Sequence, residues 1–159
     1  MGWFQVASNH RERQAQRDEV VETARCDRTR YVVEQPKVQL VGFTPTDTQV
    51  LHFYRLAGHR VVQDTLLRRP READDDIYYT VAIPFVRFAK SDTIVVATRN
   101  KRYFKLAGYH HYADLHYGMF GYLGSSDCRL ASNCLVNGHP NEYAQLRAEE
   151  GMQHCVLPQ

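Results

Sequence analysis

The sequence predicts an α+β fold in which an antiparallel sheet carries most of the chain. Three observations point there. An Arg-, Glu-, Gln- and Ala-rich stretch opens the chain, several β-branched runs follow it, and helices and strands do not alternate in a regular βαβ rhythm. The 159 residues fit one domain, or one domain with a small appendage. A chain of this size buries roughly 70% of its unfolded surface, enough for a core without staples. With 43% apolar and 24% charged residues, the composition is that of a globular chain.

Taken in order, Ser8 or Asn9 can cap a helix reaching about Ala24. Its apolar stripe is thin (Ala15, Val20, Val21 and Ala24), which suits a helix packed along one narrow line or against a partner. RYVVEQPKVQLVGF is β-branched and divided by Pro36, so it reads as two short strands or one bulged edge strand. Thr44-Pro45-Thr46-Asp47 reads as a helix start, with Val50, Leu51, Phe53, Tyr54 and Leu56 following and Gly58 as the stop. RVVQDTLLR at 60–68 reads as a strand, and RPREADDD as a polar surface loop. IYYTVAIPFVRFAK and TIVVAT, joined by Lys90-Ser91-Asp92, read as a hairpin. TRNKR is a turn, and RYFKLAGYHHY a further strand. The glycines of GMFGYLG bend the chain; their spacing is not that of a phosphate-binding loop. The acidic ADDD at 73–76 reads as a solvated charge run, with weak cation binding as the alternative.

No apolar run approaches the ~20 residues of a membrane span. The formal charge of +2 is too small to imply a nucleic-acid partner by itself. Its distribution is uneven. Residues 87–112 hold Arg87, Lys90, Arg99, Lys101, Arg102 and Lys105 against Asp92, a net +5. Residues 113–159 hold Arg129 and Arg147 against Asp114, Asp127, Glu142, Glu149 and Glu150, a net −3. A basic middle before an acidic end suits docking to a charged partner. MGWFQVASNHRERQAQR is Arg-rich like a mitochondrial presequence, but Glu12, Asp18, Glu19 and Glu22 follow closely and favour a retained helix. Val6 occupies the position where myristoylation wants Ser or Thr. Four cysteines without a secretory signal argue against a disulfide scaffold and for thiols or metal. Cys26 has no assigned role.

Two internal stretches carry chemistry-bearing residues. In YHHYADLHY, alternate positions of a strand bring His110, Tyr112, Asp114 and His116 to one face, where two imidazoles and a carboxylate can hold a divalent metal and support an enzyme. The bland alternative is a polar sheet face. TRNKRYFK interleaves cations with aromatics, as phosphate neutralisation and base stacking require, or is a solvated hairpin turn. No GxSxG, HExxH or Cys–His nucleophile pairing is present.

The C-terminal stretch is more specific. Its skeleton is Cys128-x10-His139-Pro140-x2-Tyr143-x11-Cys155. Zinc takes four nitrogen or sulfur ligands in a tetrahedron, and two loops can supply them. This segment resembles the CHCC zinc-binding domain of the small zinc subunit of respiratory complex I. Cys128 matches the family's first ligand, Gly138-His139-Pro140 its Gly-His-Pro step, Tyr143 its aromatic, Leu146 its apolar position and Cys155 the first Cys of its Cys-x-x-Cys. The family's last ligand falls on Pro158, and RLASNC replaces its glycine-rich run, so Cys134 or His154 is needed to complete the shell, or the site is degenerate. The resemblance covers about 30 of the 159 residues. It places a strand at Tyr143–Leu146, whereas Pro140-Asn141-Glu142 with Tyr143, Ala144, Leu146 and Ala148 reads locally as a capped helix ending at Gly151.

The expected organisation is a polar helix at 1–28, an α+β domain at 29–124 with an antiparallel sheet and one or two helices, and a zinc-ribbon-like module at 125–159. The resemblance implies a non-catalytic accessory subunit of a mitochondrial respiratory complex, peripheral to the matrix side of the inner membrane, with protein subunits as partners and zinc as cofactor. Without it the expectation is a cytoplasmic protein, either binding nucleic acid through 87–112 or acting as a metal-dependent enzyme at His110, Asp114 and His116.

Overall fold

A computed structural model describes residues 2–70 and 78–157, without the side chains of 2–8, 125 and 126. The acidic run at 73–76 and Pro158 lie outside the described residues. The chain is α+β, one helix followed by strands. It divides into two compact units: Met1–Arg30 with His110–Ala131, and Tyr31–Tyr109 with Ser132–Gln159. The second unit is thus inserted between the two segments of the first and also takes the C-terminus.

The first unit is a helix laid along a hairpin. Helix α1 runs Gly2–Asp27. Strands β9 (His111–Gly118) and β10 (Gly121–Leu130) pair antiparallel, with register shifts between Tyr122 and Gly124 and between Ser125 and Asp127. The bend expected of GMFGYLG is the hairpin tip, where Gly121 takes a positive φ of 105° that side chains disfavour. The contact face of α1 is not the valine stripe. Ala15 and Cys26 are buried, whereas Val20 and Val21 stay 72% and 64% exposed. Polar anchors replace the missing apolar stripe. The Thr23 hydroxyl accepts the Ala113 N–H at 3.4 Å, the Tyr122 hydroxyl donates to Asp18 at 2.8 Å, and the Arg11 guanidinium donates to the Phe120 carbonyl. Cys26 is bonded to Cys128.

The second unit is a β structure with a large core. Strands β3 (Val50–Ala57), β4 (Arg60–Arg68), β7 (Thr93–Ala97), β8 (Tyr103–Ala107), β11 (Cys134–Val136) and β12 (His139–Asn141) form a six-stranded antiparallel sheet ordered β12-β11-β8-β7-β3-β4. A second sheet joins β13 (Gln145–Arg147), β2 (Lys37–Val41) and β5 (Tyr78–Ala82), with β13 parallel to β2. Short β1 (Tyr31–Val32) pairs with β6 (Phe88–Ala89). Phe53, Ile94, Val96, Phe104 and Leu106 from the larger sheet, and Val38, Leu40 and Leu146 from the smaller, are almost fully buried. Phe43, just past β2, meets Phe104 edge-on at 5.9 Å.

Three local expectations are corrected. The helix read after Thr44 is a turn followed by β3. Thr44 Oγ1 donates to Asp47 Oδ2 at 2.8 Å and accepts the Asp47 N–H, so the signals of a helix cap here close a turn. Beyond it, Val50, His52 and Tyr54 alternate with the buried Leu51 and Phe53, a period of two. The hairpin read across 77–98 does not form as drawn: β5 pairs with β2, and β7 with β3 and β8. The 90–92 turn holds, but joins β6 to β7; Asp92 accepts the Ala89 N–H at 3.0 Å there. The helix read at 140–151 is a pair of short strands and one 3-10 turn, Ala148–Glu150. Asn141 Oδ1 accepts the Gln145 N–H at 2.9 Å and Ala144 takes a positive φ of 49°, which breaks any helix at its first turn.

Candidate functional site

The cysteines and histidines of the C-terminal stretch are distributed between the two units. Cys128 lies on β10 of the first unit, bonded to Cys26 on the last turn of α1, with Cα atoms 5.3 Å apart. A disulfide sulfur has no thiolate charge to give a metal. The remaining donors belong to the second unit. Cys134 is buried on β11, where loss of solvent pushes its thiol up to about 11. His139 opens β12 and is exposed, opposite Val136. His154 is exposed and Cys155 half-buried in the tail that follows the bridge between Tyr103 and Met152. Among the described residues no three His, Cys, Asp or Glu side chains are grouped to hold a metal. Of the residues the resemblance assigns to zinc, Cys128 is engaged in a disulfide in this arrangement.

The β9 residues are placed as strand alternation requires. Tyr112, Asp114 and His116 share the face turned away from Ala113, whose N–H meets α1, while His110 precedes the strand. Arg129 on β10 holds Asp114 at 2.8 Å, and His116 sits 3.9 Å from the same carboxylate. That carboxylate is neutralised by a guanidinium, so the cluster works first as a cross-strand ion pair.

The basic segment is divided among separate tasks. Arg87 stacks on Tyr31 at 3.7 Å, Arg99 donates to Gln49 at 2.5 Å, and Arg102 donates to the Gly151 carbonyl at 3.2 Å. TRNKR is the expected turn: Thr98 and Arg102 exchange backbone and hydroxyl hydrogen bonds around Lys101, which takes a positive φ of 60°. Arg99 and Arg102 thus tie this turn to Gln49 and Gly151, while Arg87 packs on β1.

One network on the six-stranded sheet had no counterpart in the sequence reading. His52 Nε2–H donates to Asp64 on β4 at 2.8 Å, which leaves Nδ1 to accept the Tyr54 hydroxyl at 2.7 Å. The His52 and Tyr54 rings lie 4.0 Å apart. Burial, then Tyr103, Asp64 and Cys155, raise the Tyr54 phenol above its ordinary value, so it remains a neutral donor. The arrangement orients an imidazole and holds a phenol protonated against it. The alternation of His52 and Tyr54 around Phe53 was the signal that could have revealed it.

A groove of about 760 Å³ lies in the first unit, between α1 and the hairpin tip. Ala15, Gln16 and Glu19 wall one side, and Tyr117, Phe120 and Tyr122 the other. Around it Tyr117, Met119, Phe120 and Leu123 are 63% to 94% exposed, a concentration of apolar surface unusual for a hairpin tip.

Comparison with family models, with curated proteins and with solved structures finds no match to this chain.

Proposed function

We propose that the chain is a non-catalytic accessory subunit that docks onto a larger protein assembly through α1, in an oxidising compartment. The observation that carries this reading is the state of α1. A covalent bond and three polar anchors fix its inner face to the hairpin, while Val20 and Val21 in its middle stay open to solvent among charged neighbours. A helix fixed this firmly with its apolar residues outward is suited to present them to a partner. The Cys26–Cys128 bond supports the compartment, because cytosolic thiols are kept reduced.

Membership of a respiratory-chain complex, complex I in particular, rests on the CHCC resemblance. So does zinc binding by Cys128, His139 and Cys155 with Cys134 or His154. Zinc binding needs Cys128 as a thiolate, so it is the alternative to the Cys26–Cys128 bond.

The test is isolation of the native protein from its source. Stoichiometric partner subunits are expected to travel with it, and Val20→Asp with Val21→Asp is expected to release it with its disulfide intact. Migration of the native protein as a lone chain contradicts the reading.

A further inference from the structure

We infer that the hairpin tip and the adjoining start of α1 form a docking surface for an anionic lipid bilayer. The contacts between α1 and the hairpin advance in step. Cys26 joins Cys128 at the base, Asp18 meets Tyr122 further out, and Arg11 meets Phe120 at the tip. The helix therefore points its N-terminal end toward the hairpin tip. Nine residues of α1 precede Arg11, about 14 Å of helix at 1.5 Å per residue. The start of the helix and the hairpin tip, distant in sequence, thus come to the same end of this unit.

The charge pattern identifies the occupant. Residues 115–124 contain no Asp, Glu, Lys or Arg. Residues 2–17 carry Arg11, Arg13 and Arg17 against Glu12, a net +2. Further from the tip the sign reverses: residues 18–27 carry Asp18, Glu19, Glu22 and Asp27 against Arg25, a net −3. The positive end of the helix dipole lies on the apolar side as well. An uncharged tip rich in aromatics and methionine, behind which cations come before anions, matches the depth profile of a bilayer: acyl and interfacial region first, anionic headgroups next, water last. Met119 at 94% exposure and Phe120 at 80% are placed to enter the interface without unfolding anything. A protein partner or a second copy would account for the apolar tip, but would not require this ordering of charge along the helix.

The inference stands apart from the accessory-subunit reading, because it uses the end of α1 and the hairpin tip, not the Val20–Val21 face. The experiment is co-sedimentation of the full chain with vesicles of phosphatidylcholine alone, or of phosphatidylcholine and phosphatidylglycerol in equal parts, at low salt. Binding to the charged vesicles is expected to exceed binding to the neutral ones. Met119→Ser with Phe120→Ser should weaken it about tenfold or more. Arg13→Gln and Arg17→Gln should weaken it about fivefold each. Circular dichroism and an intact disulfide show that each variant is folded. The inference is overturned by absence of binding, by binding that does not distinguish the two compositions, or by binding that the tip substitutions leave unchanged. Self-association that depends on the tip, without vesicle binding, also overturns it and assigns the tip to a second copy.

Discussion

The two units of this chain are held together by different means. The inserted unit has a large apolar core: Phe53, Phe85, Phe88 and Phe104 are all less than 2% exposed, with Leu, Ile and Val from two sheets around them. Such burial contributes on the order of 1.5–3 kcal/mol per large side chain. In the helix–hairpin unit the buried residues are Ala15, Cys26, His111, Ala113 and Tyr122, with not one buried Leu, Ile, Val or Phe among the described side chains. A helix contacting a two-stranded hairpin through alanine and hydrogen bonds is marginal in water. The Cys26–Cys128 bond supplies what the core does not. It ties the C-terminal end of α1 to β10, and a native bond of this kind contributes about 2–4 kcal/mol. A large core needs no staple, and a thin one leaves apolar residues free to face outward.

The largest effect that would test this contrast comes from removing the bond. Cys128→Ser is expected to cost about 2–4 kcal/mol of stability, read by hydrogen exchange at β9 and β10. Protection of β3, β7 and β8 should change by less than about 0.5 kcal/mol. Equal losses in both units would erase the distinction. A smaller effect belongs to the inserted unit. Burial raises the Cys134 thiol from its ordinary 9.0 to about 11, and it raises Tyr109 as well. In both groups the folded state favours the neutral form. The thiol's contribution is therefore complete below pH 9 and is lost as the pH rises through 11, whereas that of Tyr109 is lost only at higher pH. Cys134→Ala is expected to flatten that alkaline decline in stability. Tyr109→Phe should cost little at neutral pH, because the described residues offer its buried hydroxyl no hydrogen-bond partner. An unchanged alkaline slope in Cys134→Ala would remove the thiol from this explanation.

Much of the local structure was legible. Pro36 does divide two strands, RVVQDTLLR is β4, and TRNKR is a turn, because each depends on residues within a few positions. What failed was of two kinds. Thr44-Pro45-Thr46-Asp47 and Pro140-Asn141-Glu142 carry turn chemistry that also starts helices, and only the alternation at 50–56 or the Asn141 hydrogen bonds decide between them. Strand partners are a non-local choice: nothing within IYYTVAIPFVRFAK says that β5 will pair with β2. The Cys26–Cys128 bond was hidden for the second reason. Cys128 was singled out, but its partner is Cys26, at the far end of the chain, and cysteine connectivity is not contained in spacing. The outward exposure of Val20 and Val21 is equally hidden, since a thin helical stripe suits packing inward or against a partner alike.

Titration of free thiols in the denatured, unreduced protein tests the disulfide staple most directly. Two reactive thiols per chain are expected, Cys134 and Cys155, rising to four after reduction, with the new pair mapping to Cys26 and Cys128. Four thiols before reduction would contradict it, and would return Cys128 to the set of residues able to bind zinc.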